Sequence, residues 1–417
     1  MRKVIISGMV GNALEWYDYA LYSHVAAVIG KLFFPNTDPY LALLATYSIF
    51  AAGFIMRPVG GVFFGYIGDK FGRKTALSLS VLMMAVPTTI MGLLPSYAQI
   101  GVLAPILLII MRLIQGLALG GEFSGCISFV VEHAPTSQRG LAGSSSMFSM
   151  CAGILMGLGV ATLTSHIVGH ENFELWGWRI PFVISLFIGV IGLYIRNKLH
   201  ESPTYIKAKK EGNISKLPVR EVFSTHLKEL ILATSIYFTV TVPFYTLTVF
   251  MTGFTYKIVG FSLATSMRMN TISILILMLV LPFFAYISDK VGRKPVLIAS
   301  ASAFVLLAYP IFNWICSGDY TKALMGQILF GIILSAYIAP VPATLVELFP
   351  TRVRFTGVAL SYNISAALFG GTTPFVATWL IKRTMMNNSL AFYIIMFAIF
   401  TLIALYHFQD RYKEPLR

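Results

Sequence analysis

A small set of polar residues sits where a chain this apolar can least accommodate them. Glu15, Asp18 and Tyr22, with Asn12 a turn earlier, fall inside the first long apolar run. Steps of three and four place Glu15, Asp18 and Tyr22 on one face of a helix. Arg57 lies inside the second run, and Arg112, Gln115 and Glu122 share a broad face of the fourth. An ionisable group in such a run asks for a cavity, a partner or a function. Neighbouring carboxyl groups suit reversible proton binding, and a guanidinium can hold a carboxylate at two points. The chemistry offered is proton exchange at Glu15, Asp18 or Glu122, with Arg112 or Arg57 binding a substrate carboxylate or controlling those acids. The competing reading is structural: fixed ion pairs inside the first half, and an interfacial belt formed by Trp16 and the tyrosines.

The elements that must position these residues follow from composition. Of 417 residues, 57% are apolar and only 12% charged. That is half the usual charged share, too little to surface a soluble domain of this length. Twelve apolar runs can be placed, from 8–34 to 390–408, each long enough for a membrane helix. A polar stretch at 198–229 separates six from six and reads as a connector with one short surface helix. The expected architecture is all-α and integral to the membrane, with twelve transmembrane helices in two six-helix halves. The boundaries are 1–197, a cytoplasmic connector at 198–229, and 230–417. Most of the 31 Lys and Arg residues fall on the side that holds both termini and the connector. Both termini are therefore expected in the cytoplasm. The net charge of +14 reads as membrane topology, not nucleic-acid binding. The first helix is expected to be retained as the membrane signal.

Two phrases recur. GYIGDKFGRKTALS at 65–78 returns as AYISDKVGRKPVLI at 285–298, 220 residues later. VVEHAPTSQRG at 130–140 returns within LVELFPTRVRFTG at 345–357, 215 residues later. An internal repeat in one orientation fits two related halves about an axis along the membrane normal. Asp69, Arg73, Asp289 and Arg293 in the hinges can form cytoplasmic ion pairs that break when one face opens. Glu132, Arg139, Glu347 and Arg354 are candidates for the same gate. The plain alternative is solvated turn residues and topology anchors.

The chain resembles the major facilitator superfamily and, within it, the metabolite:proton symporter family. The resemblance rests on GNALEWYDYALY at 11–22, MRPVGGVFFGYIGDKFGRK at 56–74, RLIQGLALGGEFSG at 112–125 and WGWRIPF at 176–182. SDKVGRKP at 288–295, ELFPTRVRFTGVALSYNI at 347–364 and FGGTTPF at 369–375 complete it. The resemblance implies a secondary active transporter and no enzyme. It further implies import of a small polar metabolite with protons as the coupling ion, no cofactor, and substrate or coupling groups on the first helix. Tyr362 and Asn363 become cavity candidates in the second half. The proline/betaine branch is the most similar; the alternatives are a proton-coupled dicarboxylate such as alpha-ketoglutarate, and facilitated diffusion or exchange without proton coupling. The chain ends soon after the twelfth run, so the osmotic activation of members with a C-terminal coiled coil is not expected. The expected setting is a bacterial inner membrane, with lipid as solvent and a monomer as the working unit. Cys126, Cys151 and Cys316 have no motif spacing, no histidines form a metal pair, and the Gly-Gly pairs lack a nucleotide-loop context.

Overall fold

The computed structural model describes residues 2–35, 39–198 and 200–417. Among the described residues twelve long helices carry it: α1 (Arg2–Phe33) and α2 (Pro39–Lys70), then α3 (Arg73–Leu93), α4 (Leu103–His133), α5 (Thr136–Val168), α6 (Arg179–Asn197), α7 (Leu227–Val259), α8 (Leu263–Val291), α9 (Arg293–Ile315), α10 (Tyr320–Leu348), α11 (Arg354–Thr384) and α12 (Leu390–His407). Among the described residues, the ten from α3 to α12 are long and apolar enough to cross a membrane. Each of α1 and α2 has 32 residues. The connector holds two short helices, Pro203–Lys210 and Pro218–Thr225, where the sequence suggested one. Pro at the first helical position suits both, and Ser202 caps the first by accepting from the Tyr205 N–H.

Three runs that read as unbroken are not uniform. α7 widens into π-type turns at Thr246–Phe250 and Thr255–Val259, and α11 does so at Ala366–Gly370. α10 is interrupted between Ile338 and Val341, where Pro340 stands. Hydropathy cannot see these changes, because they alter backbone pairing and leave composition untouched.

The chain forms two compact units. Unit 1 is Met1–His133, Ser149–Arg220 and Thr351–Leu360. Unit 2 is Ala134–Phe148, Glu221–Pro350 and Ser361–Arg417. Each therefore takes one short segment from the other half of the sequence. In unit 1 an apolar stripe of α1 (Leu14, Tyr17, Leu21 and Val25) packs in a core with Val81 of α3 and Phe182 of α6. Tyr17 Oη donates to the Pro181 carbonyl at 2.6 Å. That anchorage sets the rotation of α1 and turns Glu15, Asp18 and Tyr22 toward α4.

The sequence repeat is written into the packing. In unit 1 a Cβ on Gly116 would lie 2.2 Å from the Gly53 carbonyl oxygen, so only glycine lets α4 approach α2 this closely. Unit 2 has the same crossing, with the corresponding Cβ on Gly331 at 3.1 Å from the Ser273 carbonyl oxygen. One turn on, a Cβ on Gly120 would lie 2.5 Å from the Arg57 carbonyl oxygen. Its counterpart Ser335 donates from Oγ to the Leu277 carbonyl at 2.9 Å. The α2-to-α8 offset of 220 and the α4-to-α10 offset of 215 thus hold in three dimensions.

Candidate functional site

The buried charges of unit 1 sort into pairs. Arg112 donates from Nη1 to Asp18 Oδ2 and to Gln115 Oε1, both at 2.8 Å. Gln115 in turn donates from Nε2 to Thr88 Oγ1 at 2.6 Å. The guanidinium lies 3.6 Å from the centre of the Tyr22 ring, within cation–π range. Four of the residues singled out in the sequence (Asp18, Tyr22, Arg112 and Gln115) therefore meet at one point. Asn12 stands apart from it, donating from Nδ2 to Ser149 Oγ at 2.9 Å.

Glu122 goes elsewhere. Its carboxylate pairs with Arg196 of α6 and accepts from the Ser80 hydroxyl. Arg196 also donates to the Leu77 carbonyl. Arg196 stands at the end of its apolar run, and its side chain is buried against Glu122. The available signal was an acid in the Gly-rich stretch of α4 that needed a cation, but nothing in the spacing identified which one.

Glu15 differs from both acids. It is 1% exposed, and among the described residues neither carboxyl oxygen has a hydrogen-bond partner. It lines a narrow cleft with Asp18, Tyr19, Phe54, Arg112 and Gln115. The cleft has room for about one water molecule, about 10 Å³. Arg57 is buried close by, its guanidinium 5.4 Å from the centre of the Phe54 ring. Tyr362 and Asn363 are buried in unit 2, where Tyr362 meets Tyr237 edge-on with ring centres 5.1 Å apart.

The eight hinge candidates form two similar clusters. In unit 1, Arg73 pairs with Asp69 at 3.2 Å and with Glu132 at 3.3 Å, and Arg354 reaches Glu132 at 2.8 Å. Asp69 accepts from the backbone N–H groups of Phe355 (3.1 Å) and Thr356 (2.9 Å), holding the start of α11. In unit 2, Arg293 pairs with Asp289 at 2.7 Å and with Glu347 at 3.2 Å, and Arg139 lies 3.8 Å from Glu347. Asp289 accepts from the N–H groups of Gly140 and Leu141 at 2.8 Å, at the start of α5. Each cluster includes an arginine from the short segment that its unit draws from the other sequence half.

Two further acids belong to the hinges and were not legible in the sequence. The N-cap positions of α3 and α9 are Gly72 (φ +113°) and Gly292 (φ +106°). Glycine suits that backbone but brings no capping side chain. A distant carboxylate supplies the cap. Glu201 accepts from the Lys74 N–H at 3.1 Å, and Asp410 accepts from the Lys294 N–H at 2.8 Å. Each lysine also ties back to a helix end, Lys74 Nζ to the Asn197 carbonyl at 2.9 Å and Lys294 Nζ to the Phe408 carbonyl at 2.8 Å. Beside the first hinge, Tyr205 donates to the Lys70 carbonyl at 2.8 Å, and burial pushes its phenol above the ordinary tyrosine range. Asp410→Ala is expected to destabilise the protein by about 1 kcal/mol, as for a lost N-cap. It would be seen as earlier melting of the purified protein, with Asp410→Asn falling between the two.

Comparison with known proteins agrees with the fold. Residues 4–221 match the Sugar (and other) transporter family, and residues 236–417 match the Major Facilitator Superfamily. A proline/betaine transporter of Salmonella typhimurium (strain LT2) is 35% identical over all of this chain and 85% of its own length. A glycine betaine/proline/ectoine/pipecolic acid transporter of Dickeya dadantii (strain 3937) is 34% identical with the same coverage. The solved structure of the proton:xylose symporter XylE bound to 6-bromo-6-deoxy-D-glucose matches with a TM-score of 0.81 at 18% identity, covering 98% of this chain and 96% of its own. With its helices, its duplicated hinges and these relatives taken together, the chain belongs to the major facilitator superfamily, as a multi-pass membrane transporter, not an enzyme, of the group that includes the proline/betaine transporters.

Proposed function

We propose that this chain imports a small zwitterion of the proline/betaine kind together with a proton. The observation that carries the reading is the sorting of charges in unit 1. Asp18 is held by Arg112 and Glu122 by Arg196, while Glu15 has no hydrogen-bond partner among the described residues. Protonating Glu15 breaks the fewest hydrogen bonds, so Glu15 carries the proton. The substrate carboxylate competes with Asp18 for Arg112, whose guanidinium Gln115 and Tyr22 hold in place. Arg57, buried close by, shapes the same region, and Asn12 ties α1 to Ser149. Tyr362 and Asn363 offer aromatic and amide groups within unit 2.

Charge favours a zwitterion over a dicarboxylate. Among the described residues, the buried charges of unit 2 are Arg139, Arg293 and Glu347, with Asp289 beside them, all in the hinge cluster. A second substrate carboxylate would have to draw a further buried cation of unit 1, such as Arg57 or Arg196, from its present neighbours. The clusters around Glu132 and Glu347 act as cytoplasmic gates that form and break as the bundles 1–197 and 230–417 alternate access about the connector 198–229. The Lys/Arg bias puts both termini in the cytoplasm, and the bacterial relatives support an inner-membrane setting. The working unit on this reading is a monomer.

The test is uptake of labelled proline, glycine betaine and alpha-ketoglutarate by purified protein in proteoliposomes with an imposed inward proton gradient. Gradient-driven entry of proline or betaine is expected. Selective alpha-ketoglutarate entry would move the reading to an organic acid, and counterflow without proton entry would remove the coupling.

A further inference from the structure

The repeat assigns Arg112 a counterpart. The offset of 215 that carries Glu132 to Glu347 and Gly116 to Gly331 carries Arg112 to Gln327. Gln327 lies in α10, one turn before the Gly331 crossing, and is fully buried. Among the described residues, neither its Nε2 nor its Oε1 has a hydrogen-bond partner. A buried primary amide with nothing to bond is costly, because both its donors and its acceptor have left water.

The register of α8 against α10 supplies its neighbours. Ser335 stands at Leu277 and Gly331 at Ser273, so the turn before brings Gln327 level with Met269 and Asn270. Asn270 donates from Nδ2 to Thr252 Oγ1 at 2.9 Å, which leaves its Oδ1 without a partner among the described residues. Ser266, one turn earlier on α8, is buried with its Oγ in the same condition. On this register Gln327, Asn270 and Ser266 fall in the N-terminal thirds of α8 and α10, bringing three neutral oxygen acceptors, an amide donor and a hydroxyl, with no charge of their own.

We propose that Gln327 and Asn270 form an ammonium-binding subsite that discriminates among zwitterions by their N–H groups. The proposal rests on the zwitterion reading above. The subsite lies within unit 2, at the position that the repeat makes equivalent to Arg112 of unit 1. A secondary ammonium such as that of proline has two N–H donors to give Oε1 of Gln327 and Oδ1 of Asn270. A quaternary ammonium such as that of glycine betaine has none, and gains nothing from these oxygens. Gln327 is therefore a specificity residue, and its loss separates the two substrates.

The experiment measures KM for proline and for glycine betaine in proteoliposomes of the wild type, Gln327→Leu and Gln327→Asn. The Leu variant fills the volume without polar atoms, and the Asn variant withdraws the amide by one methylene. KM for proline is expected to rise about tenfold in Gln327→Leu, the scale of a lost hydrogen bond to a charged group, while that for betaine changes less than threefold. Retained betaine uptake also reports a folded variant. Should Gln327→Leu fail to accumulate in the membrane, Gln327→Asn carries the comparison, with the same direction expected. Equal shifts for the two substrates, or no shift for either, overturn the subsite and leave the zwitterion reading standing. Failure of the wild type to move either substrate overturns that reading itself.

Discussion

Glu15→Gln is expected to abolish proton-driven accumulation while leaving exchange intact. Glutamine keeps the size of the side chain and resembles the protonated acid, so α1 should pack as before. On the proposed coupling, the variant is fixed in one of the two states through which the wild type cycles. For one proton per substrate, an imposed gradient of one pH unit supports accumulation of about tenfold. In Glu15→Gln this should fall to about unity, with counterflow of labelled substrate persisting. Asp18 and Glu122 cannot take over easily. Protonating Asp18 gives up the 2.8 Å pair with Arg112, and protonating Glu122 gives up Arg196 and Ser80. Each loss removes the acid with which a buried guanidinium is paired. Undiminished accumulation by Glu15→Gln would transfer the proton to Asp18 and return Glu15 to a packing role.

Much of this arrangement could be read from the chain because it depends on local spacing. The face shared by Glu15, Asp18 and Tyr22 follows from helical periodicity, and the hinges announce themselves by repetition. Hydropathy marks the helices because lipid demands a continuous apolar run. What could not be read depends on which helices face one another and at what rotation. Arg196 is separated from Glu122 by 74 positions, and Glu201 from Lys74 by 127. A terminal arginine that anchors a helix and one that turns inward to an acid look identical in sequence. The same holds for Gln327. An amide in an apolar run is unremarkable until the matching crossings at Gly116 and Gly331 show which residue it replaces. The two glycine N-caps were visible as hinge glycines, but the carboxylates that complete them come from after α6 and after α12, with no motif to connect them.

Arg112→Lys is expected to raise KM for the transported zwitterion by about a hundredfold, although the positive charge is kept. Arg112 serves Asp18 and Gln115 through Nη1 while its plane lies over the Tyr22 ring at 3.6 Å. A lysine ammonium is a point charge on a flexible stem, and it cannot present a planar fork to a carboxylate while stacking on the ring. If Arg112 only neutralised Asp18, lysine would suffice and KM would stay near the wild-type value. Structural and binding roles are separated by a second pair of variants. Arg112→Leu alone strands Asp18 in the protein interior, at a cost of about 3–5 kcal/mol, and should melt early. Adding Asp18→Asn removes the stranded charge and should restore most of that stability. The double variant should still fail to bind substrate, because the group proposed to receive the carboxylate is gone. Stability and binding that recover together would mean that the Asp18–Arg112 pair holds the bundle and takes no part in recognition.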